Sequence, residues 1–176
     1  QTLKDKAGML TPNITTLYAF SFWNLADQGP LVVEVPAGAT AGGVLDIWQQ
    51  PITDMGQTGP DKGAGGKYLI VAPGYADPEA PGYRIVHASS NQIWFGTRGL
   101  DPDPAIAEAT VRRHRLYGWA QRHNPPATAY LPVAGRPWQS TQPSDLGYWR
   151  LLAELYANEP VAPRDRTVFG MLAPLG

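Results

Sequence analysis

The 176-residue chain is long enough for one ordinary domain with a short appendage, and too short for two full ones. It is 43% apolar, with six Trp, eight Tyr and four Phe, so wholesale disorder is excluded despite 19 Gly and 18 Pro. Fourteen basic against fifteen acidic residues leave a net charge of −1, with no basic field to hold a polyanion, which excludes dedicated nucleic-acid binding.

Cysteine is absent, which removes disulfides, thiolate metal sites and cysteine nucleophiles. The start, Gln1-Thr2-Leu3-Lys4-Asp5-Lys6, has no apolar stretch of the kind a signal peptide needs. A chain that begins at Gln is expected to be processed, trimmed or a fragment. No apolar run approaches the ~20 residues of a membrane-spanning helix.

In chain order, residues 1–14 read as an N-terminal extension. Thr15–Trp23 is aromatic and β-branched, as half-buried strands are. After Gly29-Pro30 come Leu31–Val35, then Val44–Gln49 closed by Pro51, Lys67–Val71, Tyr83–His87 and Ile93–Phe95. Strands at short spacing with Gly/Pro turns, and no helical period between them, predict an antiparallel jelly-roll-like β-sandwich.

A helix is expected over 104–120, capped by Asp103 with Pro104 in its first turn. That helix belongs to the sandwich module, 15–132. Residues 133–176 read as a linker and helical tail. There Ser144 or Asp145 caps a helix whose Leu146, Trp149, Leu152, Ala153 and Tyr156 share one face, and Pro160 stops it. Arg164–Leu172 reads as a last short helix. The tail's uncovered apolar stripe predicts contact with a missing second module or a second copy of the chain.

Familiar catalytic motifs are missing. No Gly-x-Ser-x-Gly elbow is present, and Gly63–Lys67 lacks the spacing of a phosphate loop. His87, His114 and His123 have no metal-ligand spacing and read as structural or solvated. On a helix, Arg112 and Arg115 share a face while Arg113 points elsewhere, and the cluster reads as a solvated helix face near a C-terminus. Neither a metal nor a cofactor is expected.

The densest chemistry lies between Asp46 and Tyr68. On a strand, Asp46 and Trp48 share a face, as do Trp94 and Arg98 on theirs. Such a face offers a stacking surface, an acceptor and a donor together. The expected ligand-binding residues are Asn13, Thr16, Tyr18, Trp48, Gln49, Trp94 and Arg98. If the protein is catalytic, its candidates are Asp46, Asp54, Asp61 and Lys62, two of the carboxylates serving as acid and base. The Gly-rich loop from Asp54 to Lys67 is expected to border the functional surface, with Asp46, Trp48 and Arg98 nearby.

The run Asp46-x-Trp48-Gln49-x-Pro51-x-x-Asp54-x-Gly56-x-x-Gly59-x-Asp61-Lys62-Gly63-x-Gly65-Gly66-Lys67-Tyr68, followed by Pro73-Gly74-Tyr75, closely resembles one branch of a bacterial family. So do Thr11-Pro12-Asn13-x-Thr15-Thr16, Pro125-Pro126-Ala127-Thr128 and Arg164-Asp165-Arg166. That family is domain of unknown function 1254, usually followed by domain of unknown function 1214. The resemblance implies a double jelly roll of which this chain would hold the first, and a periplasmic or extracellular location.

Three functions follow as expectations. The first is a module binding a carbohydrate or small organic molecule. The second is a hydrolase using Asp and Lys residues of the 46–67 segment. The third is a structural module that forms a homo-oligomer and has no chemistry.

Overall fold

Leu31–Val33 within Leu31–Val35 (β2) and Tyr68–Val71 within Gly66–Val71 (β5) are buried on both faces, which is why each reads as an unbroken apolar run rather than an alternating one. The computed structural model describes residues 15–132, 141–172 and 174. The expected extension 1–14, with Asn13, and most of the linker lie outside the described residues.

The protein is mostly β, built from two four-stranded sheets. In the first sheet, Tyr18–Asn24 (β1) pairs with Gln92–Gly99 (β7), then come Thr40–Asp46 (β3) and Pro51–Gly56 (β4). In the second, Arg84–His87 (β6) lies beside β5, then β2, then Arg115–Gly118 (β8). Leu31 and Val33 of β2, Tyr68 and Ile70 of β5, Val44 of β3, Met55 of β4 and Phe95 of β7 form one core between the sheets. The opposite faces of β2 and β5 carry Val32, Leu69 and Val71. With Tyr117 they form a second cluster, sealed by Tyr83 and Trp119.

Four expectations need correction. First, β6 runs parallel to β5, so the sheets are not wholly antiparallel. The connection over 72–83 is long enough to cross back before β6 begins, and it supplies Tyr83 to the second cluster. Second, a helix does lie between the strands: Leu25–Gln28 (α1) is a single turn capped by Asn24, following β1.

Third, the helix expected over 104–120 is Pro104–Val111 (α2) only, and β8 follows it. Ala107 and Val111 are its buried positions. One more turn would carry Arg115 onto that buried stripe, and Arg115 instead reaches Glu34 from β8. Arg112 and Arg115 therefore share no helix face. Fourth, the strand expected over 44–49 ends at Asp46, and Pro51 opens β4 instead of merely closing β3. Proline is tolerated there because β4 is an edge strand and Pro51 is its first residue.

The tail forms Leu146–Tyr156 (α3), capped by Asp145, and Arg166–Leu172 (α4). The end of α3 docks on the sandwich. Glu159 accepts hydrogen bonds from the backbone N–H groups of Asn91 and Gln92, each at 2.7 Å. Asn91 and Gln92 in turn donate side-chain bonds to the carbonyls of Asn158 and Leu155. Leu146, Trp149, Val168, Phe169 and Met171 are exposed. Among the described residues no helix is long and apolar enough to cross a membrane.

Candidate functional site: a trough on the first sheet

In the first sheet's register, Tyr18 faces Arg98, Phe20 faces Gly96, Gly96 faces Gly43 and Trp94 faces Leu45. Directly opposed residues of antiparallel strands point to the same side, so these residues share the outer face. Ala19, Phe95 and Val44 belong to the inner one. An outer face normally carries polar residues, whereas here it carries Tyr18, Phe20, Phe22, Trp94 and Leu45.

Between them lies an open concavity of about 620 Å³. Its floor is low because two neighbours across the pair are glycines, Gly43 and Gly96. The indole of Trp94 lies over Gly96, so a Cβ at that position would meet the ring at 2.5 Å. No larger residue fits beneath it. Tyr18 and Phe20 form the wall on β1, and Asp54 and Thr58 form the opposite rim. Arg98 closes one end, its guanidinium donating to the Tyr18 hydroxyl at 3.4 Å. The lining is therefore an apolar slot with one cation and one carboxylate.

The expected site residues separate into four groups. Tyr18, Trp94, Arg98 and Asp54 line the trough together. Thr16 is half-buried ahead of β1 and lies outside its lining. Asp46, Trp48 and Gln49 lie at the far end of β3. Asp46 faces Ile93, five residues along β7 from Arg98, or roughly 17 Å at strand rise.

Asp46 holds a turn. It is buried, and one carboxylate oxygen accepts from the backbone of Trp48 at 2.9 Å and of Gln50 at 2.8 Å. Its other oxygen accepts from the Ser89 hydroxyl at 2.7 Å. Gln49 takes the left-handed conformation, φ 61°, that this tight connection needs. Trp48 stacks on Tyr156 at the end of α3. The shared strand face expected for Asp46 and Trp48 does not exist, because the strand has ended.

Asp61 also holds a loop. It accepts from the Gly56 N–H at 2.9 Å and from the Tyr68 hydroxyl at 2.6 Å. Burial, and then the bond and charge of Asp61, push the Tyr68 phenol well above its usual range, so it remains the donor. Lys62 is exposed at φ 47° in the same loop. The loop thus divides: Thr58 touches the trough, while Asp61 and Lys67 line a separate, polar hollow of about 490 Å³ with Tyr83 and Arg84. The span expected to be loop throughout, 54–67, begins and ends as strand.

Sequence reasoning missed Phe20, Leu45 and the paired glycines Gly43 and Gly96. One signal was present: Tyr18, Phe20 and Phe22 recur at the two-residue period of a strand face. The others depend on cross-strand register, which no local pattern reports.

The family model described as "Protein of unknown function (DUF1254)" matches residues 1–118, well over half the chain. The chain belongs to this family. No curated protein matches it. Among solved structures, the VPA0106 protein from Vibrio parahaemolyticus is similar with a TM-score of 0.56 at 16% identity, over 76% of this chain and 33% of that one. This DUF1254 chain therefore spans about a third of that protein's length, and the likeness shows a shared fold. Among the described residues, no group of three or more His, Asp or Glu is placed to hold a metal ion.

Proposed function

We propose that this DUF1254 chain is a jelly-roll-like module that binds a small organic molecule in the trough of its first sheet. One observation carries the reading. Tyr18, Trp94 and Arg98, expected from sequence to bind a ligand, converge with Asp54 around a single concavity. Its volume of about 620 Å³ lies in the ordinary size range of small-molecule pockets, ~300–1,000 Å³.

Binding is favoured over hydrolysis because Asp46 has both carboxylate oxygens engaged, while Asp61 has one engaged and the other buried. Asp46 and Asp61 accept backbone and hydroxyl donors that fix turns near opposite ends of β3. Asp54 alone lines the trough.

Ligand-detected NMR with a mixed panel of small aromatic and sugar compounds tests the reading. Thr58 is exposed at the rim, so Thr58→Trp should fill the trough without entering the core. Compounds bound by the wild type should be lost in this variant at unchanged melting temperature. Equal binding by both proteins would remove the trough as the site.

The exposed apolar residues of α3 and α4 support a contact surface for a second copy of the chain, to be tested by sedimentation across a concentration series. An exported location, periplasmic or extracellular, belongs to the same proposal and is open to cell fractionation.

A further inference from the structure

The charge layout of the trough restricts what it can hold. Arg98 is exposed at one end, and among the described residues its guanidinium meets no carboxylate and donates to the Tyr18 hydroxyl. The described ion pairs involve Glu34, Asp77, Glu108 and Asp165, each with other partners. Asp54 is the other charged residue of the lining. It lies two strands across and two residues along from Arg98, since Arg98 faces Ala41 while Gly43 faces Asp54. At sheet spacings that is roughly 12 Å between Cα atoms, and among the described residues the two form no ion pair.

Beside these charges the lining is apolar: the Trp94 indole, which lies over Gly96, the bare backbone of Gly43, and Phe20 and Leu45. A flat ring can lie on such a lining. A branched or bulky chain would waste the contact, and a pyranose would lay only one puckered C–H face on it, less apolar area than a fused aromatic ring offers.

We infer that the trough takes a flat, aromatic monocarboxylate, its carboxylate held by Arg98 and its far edge turned to Asp54. This rests on the trough being the binding site. The planar guanidinium fork suits a carboxylate, and Tyr18 already orients one of its nitrogens. Asp54 accepts a hydrogen bond from a hydroxyl or amine on the far edge, and it repels a second carboxylate there. The site therefore discriminates against dianions of the same shape.

The test uses four probes: 2-naphthoate, 2-naphthalenemethanol, naphthalene-2,6-dicarboxylate and glucuronate, titrated against the full chain by calorimetry. The wild type should bind 2-naphthoate at least tenfold more tightly than the neutral alcohol and the dianion. Arg98→Met should erase the advantage over the alcohol, and Asp54→Asn should narrow the gap to the dianion. Because the acid-to-alcohol comparison is made in the wild type, it decides the point even if Arg98→Met fails to fold.

If acid and alcohol bind equally and Phe20→Ala weakens both, the carboxylate inference falls while the trough stands. If glucuronate binds more tightly than 2-naphthoate, the aromatic class is overturned in favour of a sugar acid. If no probe binds, or if Phe20→Ala changes nothing, both the inference and the site beneath it are overturned.

Discussion

Trp48 and Tyr156 stack nearly face to face, with ring centroids 4.9 Å apart and planes 13° from parallel. Trp48 belongs to the turn after β3 and Tyr156 to the last residue of α3, so this pair and the Glu159 bonds tie the tail to the sandwich. Such a pair contributes about 0.5–1.5 kcal/mol beyond its buried area. Tyr156→Ala should speed amide hydrogen exchange over 146–159 severalfold while leaving the strands of the first sheet unchanged. Uniform protection in the variant would mean that the stack does not hold the tail.

Asp46 presents the opposite case, a carboxylate committed entirely to structure. Asp46→Ala leaves two backbone N–H groups and the Ser89 hydroxyl without their acceptor. The loss should be about 2–4 kcal/mol in urea unfolding, and Asp46→Asn, which keeps one acceptor oxygen, should lose less. Ligand binding in the folded fraction should be unaltered, since Asp46 does not line the trough.

His114 predicts an acid-sensitive step. It is buried, with Nδ1 donating to the Val111 carbonyl at 2.9 Å, which leaves Nε2 to face the Thr97 hydroxyl. Burial holds its pKa below 6.5. Between that lowered value and 6.5 the unfolded chain binds more protons than the folded one. Stability is therefore full above pH 6.5 and falls as pH drops below it. His114→Asn retains a donor to Val111 and cannot titrate. It should be less stable at neutral pH but should flatten this part of the profile, as measured by melting temperature against pH.

Glu34 acts in a lower window. Burial opposes its ionisation, but the 2.5 Å bond from the Tyr117 hydroxyl, then Lys67 and Arg115, outweigh burial and hold its pKa below 4.5. A depressed carboxylate stabilises the fold above the unfolded value, and that contribution disappears as pH falls through the folded one. Tyr117→Phe should cost about 1–2 kcal/mol at neutral pH and weaken the acid dependence below 4.5, read from urea midpoints across pH.

How legible these features were in the sequence follows from where their determinants lie. The strand reading Leu31–Val35 matches β2 because burial on both faces writes itself as a local apolar run. β8 is only four residues long, is separated from a helix by three residues and owes its state to pairing with β2, which no window of sequence contains. β4 was hidden by Pro51, a residue that ends strands in most positions but can begin one at a sheet edge. In the candidate site, Trp94 and Arg98 were joined by parity along one strand. Trp48 was misplaced because its partner, Tyr156, lies in a distant helix, and Asp46 because its two-residue reach to the backbone looks no different from a free carboxylate.

Gly96 and Trp94 are bound to a common inheritance. Because the indole occupies the space where a Cβ would sit, any relative that acquires a side chain at position 96 must lift or lose the ring at 94. The two positions should therefore change in the same lineages, glycine departing when tryptophan does. Lineages that keep both retain the flat plate, and lineages that lose both have remade the surface of this sheet.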